Sequence, residues 1–275
     1  MNSSYDILRA DLKSMGIMEG DVLVVHSSMK SMGHVEGGAE CVIKAMSDAI
    51  GESGTLIFPT FTYRTAYNDG FFSNKETPSC VGLLSETFRH CEGVYRTNHP
   101  THSVAIKGPL LGMLIEGEEQ DDTPMGIHSP YRKLALVKAK ILMLGCHLSH
   151  NSFMHALEED ANAIYALRDH QEYTIVNAEG EKYTRLVRRH NFCRPDGVVA
   201  QRYERAVDVL CEGVDYKRGV IHGAEAVVYD AAALKEKALK KMEESPLYFV
   251  DDLGGYYPEY AKNKSTQFMQ RCCMN

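Results

Sequence analysis

The chain has 275 residues, a formal net charge of −7 and 44% hydrophobic residues. This length can build one large α/β domain or two small ones, and the acidic balance argues against a nucleic-acid-binding surface. No apolar run approaches the length of a membrane span, and the N-terminal segment is typical of an amphipathic helix and not of a signal peptide. The eight cysteines are scattered without a CxxC pair, which predicts a reducing, cytoplasmic location.

Helical and strand-like patterns alternate along the first two-thirds of the chain. In chain order, the expected elements are a helix over 3–15, a strand over 21–28, a helix over 37–50, a strand over 55–61, a helix from 77 or 79 to about 90, a strand over 102–108, a helix over 129–140 and a strand over 141–145. This alternation predicts an α/β fold: a single layered α/β/α domain with helices on both faces of a central mixed, mostly parallel sheet.

In the last third of the chain, the sequence pattern predicts an antiparallel hairpin and further elements that complete the same domain. They are the hairpin over 170–189, a helix over 199–212, a strand near 219–229 and a long helix over 231–244. We therefore expect one domain over residues 1–250 and a tail over 251–275 to which the sequence assigns no role.

The candidate chemistry lies in Ile141–Glu159, where an apolar run is followed by a helical segment. Ser152, His155 and Glu158 recur there at intervals of three, so they share one helix face beyond a strand end, where ligands of α/β sheets collect. A carboxylate beside an imidazole can orient it and stabilise its protonated form, as a general base requires. The residues alone also allow Ser152 to cap the helix, with His155 and Glu158 in structural roles.

A second candidate is the loop that leaves the strand 21–28. Its small polar residues and glycines let backbone amides approach a phosphate, and the N-terminus of the next helix adds positive potential. Lys30 is a candidate for a charge on the pyrophosphate or ribose phosphate. The segment lacks GxxxxGK[ST] and, taken alone, also fits an ordinary strand–helix loop.

Four blocks of the sequence, residues 24–38, 54–63, 76–109 and 126–159, together resemble the aminoglycoside 3-N-acetyltransferase family. The resemblance implies transfer of acetyl from acetyl-CoA to the 3-amino group of a 2-deoxystreptamine aminoglycoside, and hence antibiotic resistance. It also implies a layered α/β/α fold that differs from the widespread GNAT-type acetyltransferase fold.

The same resemblance assigns the site residues. His155 matches the catalytic histidine, Glu158 the carboxylate three residues on, and Ser152 a position usually held by Thr or Ser. The positions that match the coenzyme A-binding segments are His26, Ser27, Ser28, Met29, Lys30, Ser31, Thr101, His102 and Ser103. The turn HLSH and the segment 188–197 depart from the family pattern and can reshape the acceptor pocket.

For acetyl transfer, His155 would take the proton of the amine and Glu158 would fix its tautomer and offset the imidazolium charge. Ser152 would donate to the oxyanion or the departing sulfur, a role compatible with helix capping. We expect direct attack by the amine without an acyl-enzyme, because Cys146, the rival nucleophile, lies among apolar residues where thiols are usually inert.

A cationic acceptor favours carboxylates and aromatic side chains in its site. The candidates are Tyr63, Tyr67, Glu158 and Glu159. The expected partners are thus a small cationic aminoglycoside and coenzyme A, with no nucleic acid, membrane or metal. Two alternatives stay open: acetylation of another amine on the same fold, and a zinc hydrolase that uses His147, His150 and His155.

Overall fold

A computed structural model describes residues 3–190, 192–194 and 197–253, apart from the side chains of Arg64, Thr65, Tyr67, Cys193 and Arg194. The helices in this part are α1 (Ser4–Ser14), α2 (Gly38–Ile50), α3 (Tyr63–Asp69), α4 (Leu83–Phe88), α5 (Leu111–Ile115), α6 (Pro130–Lys133), α7 (Phe153–Asp160), α8 (Ala206–Val209) and α9 (Ala231–Glu244). Single 3₁₀ turns span Met29–Met32, Glu118–Gln120, Leu148–His150 and Tyr203–Arg205.

The strands follow the same chain order. They are β1 (Val22–Ser27), β2 (Thr55–Pro59), β3 (Phe71–Ser73), β4 (Tyr95–Arg96), β5 (Val104–Lys107), β6 (Lys140–Leu144), β7 (Gln171–Val176), β8 (Lys182–Val187), β9 (Cys193–Arg194), β10 (Gly197–Gln201), β11 (Tyr216–Ile221), β12 (Ala224–Asp230) and β13 (Val250–Asp252).

Seven strands form the central sheet, in the order β11-β12-β6-β1-β2-β5-β4. The strand β1 pairs in parallel with β2 and β6, whereas β5 and β12, which flank these three, attach antiparallel. Their outer neighbours β4 and β11 are again antiparallel to them. The predicted mixed sheet is confirmed, but only two of its six strand pairings are parallel, and both lie at its centre.

Helices cover both faces of this sheet, as predicted. Along β1, Val22 and Val24 pack into a core with α7 and α9, while Leu23 and Val25 pack into a second core with α1 and α2. Alternate residues of a strand point to opposite faces, so a continuous apolar run is what a strand buried on both faces requires. The α/β/α layering therefore follows from the sequence pattern.

Two small sheets lie outside the central one. The hairpin β7–β8 was predicted and is confirmed, but it pairs with β3 in a separate sheet of order β3-β7-β8. The other small sheet has the order β13-β10-β9. The strand β13 runs from residue 250 to 252, across the expected domain boundary, and residues 254–275 of the predicted tail lie outside the described part.

Several predicted elements were too long or of the wrong type. The helix expected over 77–90 begins only after Gly82, whose φ of 121° breaks the helix, and the helix expected over 129–140 ends early, before Lys138 turns the chain with φ 51°. The helix expected over 199–212 is wrong, because 199–201 pair with β13 and only α8 is helical beyond the turn at Tyr203. The strand expected near 219–229 is the hairpin β11–β12.

The carboxyl ends of the three central parallel strands lie at one edge, and this edge positions the candidate site. After β1, the backbone N–H of Ser28 donates to the carbonyl of Leu144 at the end of β6, 2.9 Å away. After β2, the N–H groups of Thr60 and Thr62 donate to the carbonyls of Ser103 and Thr101. No helix among the described residues is long and apolar enough to cross a bilayer.

Candidate active site

The catalytic candidate His155 lies in the first turn of α7, just beyond the carboxyl end of β6. Asn151 rather than Ser152 caps this helix: its Oδ1 accepts a hydrogen bond from the N–H of Phe153 at 3.1 Å, whereas the Ser152 side chain makes no capping bond. The Ser152 hydroxyl is 3.5 Å from the carbonyl oxygen of His150, and 7% of the residue is exposed. Ser152 is thus left for another role.

The imidazole of His155 is held at Nδ1 by two oxygens. Nδ1 lies 3.1 Å from Glu158 Oε2 and 2.8 Å from Tyr203 Oη, and Tyr203 donates to the same Glu158 oxygen at 2.6 Å. Because the tyrosine hydroxyl gives its single proton to Glu158, the hydrogen shared with His155 belongs to Nδ1. The neutral imidazole therefore presents Nε2 as its basic nitrogen.

Burial makes these three groups interact strongly. Glu158 has no exposed surface, Tyr203 is 1% exposed and His155 is 9% exposed. Burial, followed by the negative charge of Glu158, raises the pKa of the Tyr203 hydroxyl well above its usual range, so Tyr203 is a neutral donor at physiological pH. A carboxylate in such surroundings stabilises a neighbouring imidazolium more than it would in water.

Two further imidazoles pack against His155. The ring centroid of His190 lies 4.5 Å from that of His155, and the centroid of His102 lies 6.2 Å away with its plane at 90°. His102 and His190 are themselves 4.9 Å apart, and Phe192 closes the group at 5.3 Å from His155. The site is therefore a cluster of imidazole rings packed around the ring of His155.

The surrounding histidines are kept uncharged. Burial, followed by the charges of neighbouring histidines, lowers the pKa of both His102 and His190 well below its usual range. At the end of β1, burial and the charges of His150 and His155 lower the pKa of His26 to about 3. Glu158, held at Nδ1, gives His155 a direct counter-charge for a proton taken up during a reaction.

Glu159 forms a second imidazole–carboxylate pair beside the first. Its Oε1 is 2.8 Å from His190 Nε2 and accepts the N–H of Met125 at 3.0 Å, while its Oε2 accepts the hydroxyl of Thr123 at 2.6 Å. The side chains of Glu159 and His190 are 5% and 2% exposed. This pair is buried against the catalytic imidazole rather than facing solvent.

The segments expected to hold coenzyme A border this cluster. His26 and Ser27 end β1, and Ser28, Met29, Lys30 and Ser31 form the turn that follows, with Lys30 and Ser31 exposed. This turn is tied to the end of β6 because Ser31 Oγ donates to the carbonyl of Gly145 at 2.6 Å. The predicted loop and the catalytic helix are thus neighbours.

The second predicted coenzyme A segment is largely internal. Thr101 and Ser103 have no exposed surface, so their side chains cannot contact a ligand in this structure. Ser103 Oγ donates to the carbonyl of Thr60 at 2.8 Å and accepts from the buried guanidinium of Arg96 at 3.1 Å. Thr101 Oγ1 lies 2.8 Å from Nδ1 of His102, so this segment positions His102.

The residues expected to contact a cationic acceptor divide into two groups. Tyr63 begins α3 with its ring centroid 6.5 Å from that of His102, while the side chain of Tyr67 lies outside the described part. Glu158 and Glu159, by contrast, are buried and take up hydrogen bonds from Tyr203, Thr123 and the backbone. A role for these two carboxylates in direct acceptor contact is not supported, because Glu158 has no exposed surface and internal donors occupy both oxygens of Glu159.

The zinc alternative receives no support. Among residues 3–190, 192–194 and 197–253, no group of three or more His, Cys, Asp or Glu side chains has an arrangement that fits a metal ion. The ring centroids of His147 and His150 are 6.4 Å apart, and His147 Nδ1 accepts from Ser149. Burial raises the pKa of the Cys146 thiol to about 12, which keeps it protonated near neutral pH.

Comparison with known proteins decides the family. The family model described as aminoglycoside 3-N-acetyltransferase matches residues 24–243 of the chain. The chain belongs to the aminoglycoside 3-N-acetyltransferase family. The resemblance carried by the four sequence blocks is thereby confirmed.

Members of this family from several bacteria match the chain. Aminoglycoside N(3)-acetyltransferase VIII of Streptomyces fradiae is 31% identical over 173 residues, which cover 56% of this chain and 59% of that protein. Aminoglycoside N(3)-acetyltransferase VII of Streptomyces paromomycinus is 28% identical over 268 residues, or 86% of this chain and 90% of that one. The match thus spans less than two-thirds of the first relative but nearly all of the second.

Solved structures show the same fold. The crystal structure of a histidine-to-alanine mutant of aminoglycoside acetyltransferase AAC(3)-IVa in complex with a gentamicin superposes with a TM-score of 0.76 at 25% identity, covering 90% of this chain and 92% of that one. The binary complex of AAC-IIIb with CoASH gives a TM-score of 0.75 at 22% identity, covering 88% and 97%. The predicted layered acetyltransferase fold, distinct from the GNAT type, is confirmed by this likeness.

Sequence reasoning missed Tyr203 altogether and left His190 unassigned. Tyr203 fell within the wrongly predicted helix 199–212, and it reaches His155 across 48 positions of sequence. His190 stands in the segment that departs from the family pattern, which was a signal that this region shapes the site. No local pattern indicates that either side chain meets α7.

Proposed function

We propose that this chain transfers the acetyl group of acetyl-CoA to the 3-amino group of a 2-deoxystreptamine aminoglycoside, and that it thereby confers resistance to such antibiotics. The observation that carries the proposal is the buried imidazole of His155, whose Nδ1 is held by Glu158 and Tyr203 beyond the end of β6. Family membership supports the reaction, and relatives solved with a gentamicin or with CoASH support the two substrates.

In the reaction, Nε2 of His155 acts as general base. It takes the proton that the amine loses as its nitrogen forms a bond to the carbonyl carbon of the acetyl thioester. When the oxyanion collapses and the carbon–sulfur bond breaks, His155 returns this proton to the departing thiolate. Glu158 and Tyr203 hold the ring in the reactive tautomer throughout, and Glu158 offsets the transient imidazolium charge.

Ser152 is the proposed donor to the oxyanion. Its hydroxyl lies one turn before His155 on the same side of α7 and is not used as a helix cap. A donor aimed at the carbonyl oxygen strengthens as charge develops there, which is how such groups lower the barrier. Because the Cys146 thiol stays protonated, the amine attacks the thioester directly and no acyl-enzyme forms.

The proposed coenzyme A-binding edge consists of the end of β1, the turn that follows it and one histidine from the segment before β5. Its residues are His26, Ser27, Ser28, Met29, Lys30, Ser31 and His102. Thr101 and Ser103 support this edge from beneath, through the hydrogen bonds to His102, Thr60 and Arg96. Tyr63 and Tyr67 remain proposed acceptor contacts. The proposed compartment is the cytoplasm, supported by the free thiols of Cys41, Cys91 and Cys146.

The test measures release of free thiol from acetyl-CoA with a panel of aminoglycosides, for wild type and His155→Ala. We expect turnover with at least one member of the panel and a loss of about 10²–10⁴-fold in kcat for the variant. His90→Ala removes an exposed imidazole at the end of α4 and should leave turnover unchanged.

Two results would contradict the proposal. A His155→Ala enzyme that works within a few-fold of wild type would remove the general base from the mechanism. Turnover with other amines but with no aminoglycoside would keep the transferase and replace its acceptor, in line with the departures at 147–150 and 188–197.

A further inference from the structure

The pair formed by Glu159 and His190 is a feature that the proposed mechanism does not use. The ring of His190 packs against that of His155, and its Nε2 is hydrogen-bonded to the buried carboxylate of Glu159. Buried carboxylates are costly unless hydrogen bonds or charges compensate them, so such a group next to a reacting base calls for a functional account.

The hydrogen bonds around Glu159 hold it as an acceptor. Its carboxylate receives the hydroxyl of Thr123, the N–H of Met125 and Nε2–H of His190, all within 3.0 Å. With its proton on Nε2, the neutral His190 has a lone pair on Nδ1, and this buried atom has no hydrogen-bond partner among the described residues. His190 thus links Glu159 to the cluster without carrying charge itself.

The negative charge of Glu159 can act on His155, because the neighbouring cation Arg132 is engaged with Asp160. Arg132, whose charge acts on Glu159, also binds Asp160 Oδ1 at 2.6 Å and the carbonyl of Ala156 at 3.2 Å. Burial raises the pKa of Glu159, while the hydrogen bonds from Thr123 and Met125 and the charges of Arg132 and His155 act against that rise. The attraction between Glu159 and a charged His155 is mutual.

The other titratable groups that face His155 determine the net charge around its ring. They are Glu158 on its own helix, Tyr203 on the turn after β10, His102 before β5, His26 on β1 and His190 after β8. The three histidines are neutral and Tyr203 is a neutral donor, so Glu158 and Glu159 supply the negative charge around the ring. Low local polarity lets a charge act beyond hydrogen-bond distance.

We propose that Glu159 is a second counter-charge for the imidazolium that forms on His155, and that His190 is the positioning residue that holds this carboxylate against the catalytic ring. The inference rests on the proposed function, because it assigns His155 the proton. It places His155 between two buried carboxylates: Glu158 acts at Nδ1 and Glu159 acts through the face that His190 covers.

The test is the pH profile of kcat/KM for Glu159→Gln. Glutamine keeps an acceptor oxygen for His190 and Met125 but removes the charge, so protonation of His155 becomes less favourable. The acid limb of the profile should move to lower pH, by about 0.5 pH unit or more, while the plateau at higher pH falls. Glu159→Asp keeps the negative charge. The acid limb of its kcat/KM profile should therefore lie at the wild-type pH, even if kcat/KM itself is lower.

His190→Gln tests the positioning role. It keeps an N–H for Glu159, so kcat and the acid limb should stay close to those of wild type, whereas His190→Leu removes that N–H and should lower kcat several-fold and move the acid limb to lower pH. Glu243→Gln makes the same charge change at an exposed position of α9 and should alter neither quantity.

An unmoved acid limb in Glu159→Gln, with kcat/KM reduced evenly at every pH, would reduce Glu159 to a structural residue and overturn the inference. A limb that moves to higher pH in His190→Gln would show a charged His190 and also overturn it. These outcomes are separate from a failure of the proposed function, which would appear as an active His155→Ala enzyme. Should Glu159→Gln fail to fold, the contrast between the His190→Leu and His190→Gln profiles still decides, and equal acid limbs in these two variants would overturn the inference.

Discussion

Tyr203 shows how much the chemistry of a single residue depends on its neighbours. Its hydroxyl is within 2.8 Å of His155 Nδ1 and within 2.6 Å of Glu158 Oε2, so it closes a three-membered hydrogen-bonded group. The hydroxyl also decides the tautomer of His155, since its own proton is given to Glu158. Tyr203 therefore contributes to the basicity of Nε2 without touching the acceptor.

Tyr203→Phe should lower kcat about tenfold and change KM little. The variant removes one hydrogen bond to Glu158 and one to His155, each of which is worth on the order of 1 kcal/mol or more when buried. Steady-state kinetics with acetyl-CoA and an accepted aminoglycoside measure the effect. Tyr229→Phe removes another buried hydroxyl, on β12, and serves as the control. Equal kinetics for the two variants would exclude Tyr203 from the mechanism.

At the scale of elements, the junction between β6 and the turn after β1 connects the catalytic helix to the proposed coenzyme A-binding edge. Gly145 follows β6 and has φ 64°, and a Cβ at this position would lie 2.5 Å from Cβ of Ser31. The carbonyl of Gly145 also accepts the hydroxyl of Ser31. The close approach of the end of β6 to the turn after β1 therefore requires a residue without a side chain at position 145.

Gly145→Ala should displace the turn at Ser31 and raise KM for acetyl-CoA about tenfold or more, since a clash of this kind costs about 1–3 kcal/mol. Gly180→Ala is the matched control. Its φ is 88°, so the backbone strain is similar, but no atom of the described residues lies within 4 Å of the added Cβ. Initial rates over a range of acetyl-CoA concentrations test the difference. An unchanged KM in Gly145→Ala would separate this turn from coenzyme A binding.

At the scale of the whole molecule, the buried histidines link stability to pH. Burial lowers the pKa of His26 and His99 to about 3, and those of His102 and His190 well below the usual range. In the unfolded chain these groups titrate near 6.5, so the unfolded state binds more protons between these values. The free energy of unfolding must therefore fall as the pH falls below about 6.5.

Each such histidine contributes a slope of up to about 1.4 kcal/mol per pH unit, and Glu118 opposes them because burial raises its pKa to about 7. His99→Gln should show a shallower loss of the free energy of unfolding than wild type between about pH 7 and 5. Urea unfolding at several pH values provides the measurement, and His90→Gln, at an exposed position, should follow wild type. Parallel curves for His99→Gln and wild type would mean that His99 is already charged in the folded protein.

The sequence alone determined the layered α/β/α fold, the family and the helix that carries Ser152, His155 and Glu158. These features depend on local periodicity: apolar runs at strand spacing, polar residues three apart, and motifs within one segment. Predictions were wrong where a tertiary contact overrides the local preference, as in 199–212, where pairing with β13 makes a strand of the first part of the predicted helix.

The tertiary structure alone decided which side chains surround the catalytic imidazole. Tyr203, His190 and His102 come from separate segments, and Glu159, which the sequence offered as an acceptor contact, is turned inward to His190. The physical reason is that a buried polar group must find partners wherever packing brings them, and packing joins residues far apart in the chain. Periodicity reports which face of an element is buried, but not which residue of another element meets it there.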